Sequence, residues 1–178
     1  VADIVALQSI QPQPTPLRVI SFIEMTGVRS RQSPREIVAA ASLRIKSLRA
    51  KGRLAGFSPH APYSTTPELL RRTAAAARSH RWRVTTHVAE SAEELEMFRH
   101  ASGRMLEWLK PQRDCSDCGH GTPIQHLARC GLLGPNLLAI HANCLLPADI
   151  ALLARNGCSV AHCPRSHTFF SHPRFPFQ

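Results

Sequence analysis

"TTHVAES" occupies Thr85–Ser91. It sets His87 three residues before Glu90, directly after a short apolar run. A buried strand here ends on two polar groups with no neighbour in sequence to neutralise either. The pattern recurs. "LAGFSPH" ends at His60, "NLLAIHANC" carries His141, and "CSVAHCP" carries His162. Four successive strand-like runs therefore end on histidine.

The intervals between these runs read as helices. Ser33 and Pro34 open one that Ile37, Val38, Ala41, Ile45 and Leu48 continue at helical spacing to Lys51, with Gly52 as its stop. Thr66 and Pro67 open the next, which runs to His80. Ser91 with Glu94 forms a capping box for a long helix reaching Leu109. Thr122, Pro123 and Gln125 repeat the signature for a short helix ending at Gly131, and Pro147 begins another that stops at Gly157. Two more strands precede these, "ADIVALQ" and Leu17–Met25, joined by the loop "QPQPTP". Six apolar strands alternating with helices predict an α/β fold with a parallel sheet under helices. An open doubly wound sheet and a (β/α) barrel both fit the alternation. No Gly-rich phosphate loop follows any strand, which removes the usual mark of the nucleotide-binding open sheet.

Length and composition bound the rest. The chain has 178 residues and is 43% hydrophobic, enough for one domain with a core. No apolar run approaches the ~20 residues of a membrane span. The net charge of +10 raises a polyanion-binding reading. Yet Arg18, Arg29, Arg53, Arg99, Arg129 and Arg174 lie in different segments. The densest group, Arg71, Arg72, Arg78, Arg81 and Arg83, surrounds one helix and reads as its solvated face, so no nucleic-acid partner is expected. All six cysteines fall in the last third. With no secretory signal they read as free thiols in a reducing, cytoplasmic setting. Cys144, Cys158 and Cys163 read as small buried hydrophobes, and "CSDCGHG" as a solvated connecting loop. Cys115, Cys118, His120, His126 and Cys130 leave open a small zinc knuckle, and with it the rival reading of a basic, non-catalytic binding module.

In a parallel barrel all strand C-termini open on one face, so distant histidines converge there. Neutral imidazoles are zinc's commonest protein ligands, and a carboxylate beside them can move protons between water and a leaving group. Glu90 has a plainer reading as well, a favourable charge at the N-terminus of the following helix.

"GFSPHAPYST", "THVAES", "LLAIHANCL" and "SVAHCPRSH", in this order, resemble the strand-end motifs of the amidohydrolase superfamily, in its deaminase and chlorohydrolase-like branch. The resemblance implies a partial (β/α)8 TIM barrel in which this single domain, 1–178, spans roughly strands two to seven. It also implies hydrolysis of a non-peptide C–N bond of a heterocyclic small molecule, with deamination preferred over dechlorination. His87 matches the strand-five metal ligand, and Glu90 the glutamate that shuttles protons. His141 matches the strand-six histidine that steadies the attacking oxygen, and His60 a substrate-binding histidine. The implied cofactor is one Zn2+ or Fe2+. Where relatives carry Asn in the strand-seven motif this chain has His167, so Arg165 and His167 are assigned only to the pocket wall.

The family's His-x-His of the first strand and Asp of the eighth are not in this sequence. The expectation is an internal fragment that binds metal weakly, turns over little, and exposes sheet edges that favour self-association as a possible homo-oligomer.

Overall fold

The computed structural model describes residues 2–5, 16–172 and 174–177. The expected loop "QPQPTP" falls outside them except for Pro16, as do the last residues of "ADIVALQ". Six strands form one parallel sheet in sequence order: β1 (Ala2–Val5), β2 (Ile20–Met25), β3 (Leu54–Pro59), β4 (Val84–Val88), β5 (Leu137–His141) and β6 (Ser159–Ala161). Sequential parallel order with a crossover at every step is the path of a (β/α) barrel wall. A doubly wound sheet reverses direction partway, so the structure decides between the two candidate architectures.

Helices α1 (Pro34–Ala50), α2 (Pro67–His80), α3 (Ala92–His100), α4 (Arg104–Leu109), α5 (Pro123–Arg129), α6 (Pro147–Arg155) and α7 (Pro164–Phe169) follow the strands. The starts of α1 and α5 are built as the sequence predicts. The Ser33 amide donates to Glu36 at 2.8 Å while the Ser33 hydroxyl accepts from the Glu36 amide, and Thr122 and Gln125 repeat this exchange. Each exchange satisfies donors that a helix N-terminus leaves orphaned. One sheet face packs Ile23, Met25, Phe57, Val84, Leu137 and Ala139 against Ile37, Ala41 and Ile45 of α1, Leu69 and Leu70 of α2, and Ile124 and Leu127 of α5. The other face carries the alternate residues, among them Phe22, Glu24 and His87.

Three expectations need correction. The single helix from Ser91 to Leu109 is two helices. Ala101 and Gly103 take positive φ of 49° and 94°, and the Gly119 amide caps the Phe98 carbonyl at 2.9 Å. Apolar spacing carries straight through this break, so periodicity alone cannot show it. The "CSDCGHG" region is not solvated throughout. Cys118 packs into a second core with Met97, Phe98, Leu106 and Leu109, and a buried Arg113–Asp117 ion pair lies inside the loop. Cys144, Cys158 and Cys163 are half-buried, whereas Cys118 and Cys130 are the buried thiols. No helix among the described residues is long and apolar enough to cross a membrane.

Strand β3 meets β4 at close quarters. The Phe57 amide donates to the Arg83 carbonyl at 3.0 Å, and a Cβ at Gly56 would sit 2.3 Å from that same oxygen. Only glycine fits, because the nearest obstacle is the Arg83 backbone and the Phe22 ring lies 3.0 Å away as well. Gly56→Ala should therefore lower unfolding stability by about 2 kcal/mol or more in urea melts. A loss below about 0.5 kcal/mol, the range of neutral surface changes, contradicts this account of the strand contact.

Candidate active site

Three of the four strand-end histidines meet at one rim. The His60 and His87 rings lie 4.9 Å apart and the His87 and His141 rings 5.5 Å apart, so the three imidazoles form a row. His141 Nε2 is 3.2 Å from Glu90 Oε1. The rim is laced by the backbone: the His60 amide donates to Met25 O and the His87 amide to His60 O, each at 2.9 Å. His162 is stacked on Phe175 at 3.8 Å and edge-on to His167 at 5.0 Å, and from there it helps lower the His141 pKa.

Simple alternation does not build this site. His141 is in register with Val88, on the helix-facing side, whereas His87 is in register with Ile140 on the other side. Positive φ values of 73° at His141 and 50° at Ala142 release His141 from that register, and Ala89 at 51° does the same before Glu90. Non-glycine residues occupy this region at a cost and persist only where neighbours over-determine it. Here the neighbours are the Ala142, Asn143 and Cys144 amides, which donate to Val88 O, Ala89 O and Ala89 O at 3.0, 2.9 and 2.8 Å. These contacts lock the end of β5 onto the end of β4.

Each polar group has a traceable partner. His87 Nδ1 lies 2.8 Å from the His60 carbonyl. A carbonyl only accepts, so Nδ1 carries a proton, and in the neutral ring that leaves the lone pair on Nε2. That is the tautomer a metal-ligating imidazole needs, with its second nitrogen held by a backbone acceptor. Among the described residues, no group of three or more His, Cys, Asp or Glu side chains is placed to hold a metal ion. Fewer than the three or four side chains a zinc ion takes are therefore gathered here. Burial lowers the pKa of His60 and of His141, with Glu90 opposing it at His141 and the neighbouring His87 imidazole reinforcing it at both. Asn143 Nδ2 donates to Glu90 O at 3.0 Å, and His167 Nδ1 in turn approaches Asn143 Oδ1 at 3.2 Å. His167, assigned only to the wall from sequence, reaches the Glu90 backbone through Asn143.

Sequence reasoning missed three groups. Beside His60 a recess of about 340 Å³ is bordered by Glu24, Tyr63, Ser64 and Trp108. Glu24 ends β2 as the histidines end their strands, and that shared position is the signal that could have found it. Trp108 is 61% exposed at the mouth, an indole face left open to solvent. Burial pushes the Tyr63 phenol up to about 12, so it stays a neutral hydroxyl. Glu94, read from sequence as half of a capping box, departs from that reading. Ser91 does accept from its amide, but the Glu94 carboxylate reaches the Glu90 amide at 2.9 Å and not that of Ser91, so the expected capping box is only half made.

Comparison with known proteins follows this geometry. Residues 13–177 match the profile of the amidohydrolase family. The aminodeoxyfutalosine deaminase of Deinococcus radiodurans is 33% identical over 144 residues, 74% of this chain and 34% of that protein. The 5-methylthioadenosine/S-adenosylhomocysteine deaminase of Syntrophobacter fumaroxidans is 35% identical over 61% of this chain and 21% of its own length. The chain thus spans about a third or less of these relatives. Among solved structures, a zinc-bound adenosine deaminase from Xanthomonas campestris matches 75% of this chain and 28% of its own, with a TM-score of 0.58 and 26% identity. Guanine deaminase of E. coli shares the fold over 90% of this chain and 35% of its own, with a TM-score of 0.69 at 18% identity.

Burial pushes the Glu94 carboxyl up to about 7, against bonds from the Glu90 and Ala89 amides that pull it down. A carboxyl with a raised folded pKa contributes stability that is complete below its unfolded pKa, near 4.5, and is lost as pH rises through 7. The depressed histidines act with the opposite sign, losing their contribution as pH falls through 6.5. The difference between wild type and Glu94→Gln isolates the carboxyl. Across that window, thermal or urea melts should show the variant gaining on the order of 3 kcal/mol relative to wild type. A pH-independent difference contradicts the assignment.

Proposed function

The chain belongs to the amidohydrolase family, and on that footing we propose that it forms the catalytic rim of a metal-dependent hydrolase that deaminates a heterocyclic small molecule. In this reading its six strands are strands two to seven of a (β/α)8 barrel. The observation that carries the proposal is the row His60–His87–His141 with Glu90 Oε1 3.2 Å from Nε2 of its last ring.

The geometry supports the following roles. His87 would hold the metal through its free Nε2, completed by ligands beyond the described residues. Such an ion, zinc or iron, lowers the pKa of water to about 7 and supplies hydroxide at neutral pH. Glu90 takes the proton from the attacking water and passes it to the ring nitrogen or to the departing amine. The C–O bond forms, the C–N bond breaks, and ammonia leaves, so one water is consumed for each amine released. His141 donates from Nε2 and steadies the oxygen as charge develops on it, a task suited to a neutral imidazole. Asn143 pins the Glu90 backbone, holding the carboxylate within reach of both atoms.

His60, Tyr63, Trp108 and Glu24 border the substrate side. The indole offers a stacking face for a flat ring, and the carboxylate an acceptor for ring or hydroxyl donors. Purine nucleosides have both features, in keeping with the nucleoside-directed names of the relatives. The exposed edges of β1 and β6 favour self-association in the same reading. Six free thiols accord with a reducing, cytoplasmic compartment.

The test is ammonia release from purine nucleosides by the purified chain with added zinc. The expected result is slow, zinc-dependent turnover that Glu90→Gln lowers by about 100-fold or more, the usual worth of a general acid–base. Turnover unaffected by Glu90→Gln overturns the mechanism. Zinc itself should bind weakly and His87→Ala should abolish that binding. One tightly held zinc per chain in metal analysis contradicts the one-ligand site.

A further inference from the structure

At the opposite end of the sheet the fold gathers arginines that the sequence scatters. A cavity of about 420 Å³ is walled by Arg18, Arg49, Arg81 and Arg83, with Ile20 and Leu54 at its base. The four come from separate segments: the approach to β2, the last turn of α1, the cap of α2 and the approach to β4. Arg49 is steered toward the start of β3 by a bond from Nη1 to Ala55 O at 3.3 Å. Nearby, Arg53 Nη2 donates to Ser21 Oγ at 3.4 Å.

Cations at helix C-termini need no further reason, because they complement the helix dipole. That explanation covers Arg49 and Arg81. It does not cover Arg83, which precedes a strand, nor the convergence of the four on one concavity. Among the described residues, none of the ion pairs found with carboxylates includes Arg49, Arg81 or Arg83. Cationic side chains that line one hollow repel one another unless an anion offsets their charge. Each guanidinium offers a planar fork matched to two phosphate oxygens, so several forks suit more than one phosphate. The volume is within the range of small-ligand sites.

We propose that this cavity binds the diphosphate or oligophosphate group of a small soluble molecule. The site lies at the strand N-termini, a strand's length from the histidine rim, and is independent of the deaminase reading.

The experiment is calorimetric titration of the chain with inorganic pyrophosphate. Pyrophosphate should bind and raise the melting temperature. Arg49→Gln with Arg83→Gln should weaken it by at least about tenfold. The matched control is Arg99→Gln with Arg155→Gln, which removes the same charge from the last turns of α3 and α6 and should leave affinity within about twofold. Arg83→Gln alone, at a position whose side chain makes no hydrogen bond or ion pair among the described residues, keeps the test open if the double variant melts early, and should weaken binding in the same direction. Equal weakening by both pairs shows only a diffuse positive surface and overturns the proposal, as does the absence of pyrophosphate binding. An RNA oligonucleotide that binds more tightly than pyrophosphate, and depends on Arg49 and Arg83, assigns the arginines to nucleic acid and also overturns it.

Discussion

One hydrogen bond organises the candidate site, that from His87 Nδ1 to the His60 carbonyl at 2.8 Å. It joins the ends of β3 and β4, and the backbone amide of His87 donates to the same oxygen. It fixes the tautomer, because the acceptor has no proton to give. It also fixes the ring plane, which sets the distance from His87 to His60 on one side and to His141 on the other. Without it His87 is an ordinary half-buried imidazole, free to turn its lone pair elsewhere.

The site is held in a conformation that the strands alone would not choose. Ala89, His141 and Ala142 all take left-handed backbone, and three amide bonds from β5 to β4 hold them there. Each such residue costs on the order of 1 kcal/mol, and a buried Glu94 held at the Glu90 amide adds a further burden. The strain sits at one rim of the sheet, above an apolar layer of Ile23, Phe57, Val84 and Ala139 that does not share it. That division places functional backbone on a rigid scaffold, as barrel active sites require.

The sequence was most legible where local chemistry decides structure. Pro34 and Pro67, with Ser33 and Thr66 before them, mark helix starts that side-chain bonds confirm. Strand ends were readable because apolar runs stop at polar residues, and three of the four histidines so identified meet. The fourth, His162, has the same local signature but packs on Phe175, a contact with no sequence marker. The break between α3 and α4 stayed hidden because the apolar spacing of Met97, Phe98, Leu106 and Leu109 continues across it. The Arg113–Asp117 pair and the converging arginines depend on tertiary placement, so residues read as solvated or scattered become buried or gathered. Glu24 was within reach of the rule applied to the histidines and was passed over because that rule was applied to imidazoles alone.

The central claim is that His87 presents an unprotonated Nε2 to a rim shared with His60, His141 and Glu90. Nitrogen-15 NMR of the imidazoles, at a pH where the rings are uncharged, measures this directly. The account predicts a neutral His87 ring protonated at Nδ1, with through-space contacts to the His60 and His141 rings. A His87 ring protonated at Nε2, or without contact to either neighbour, contradicts it.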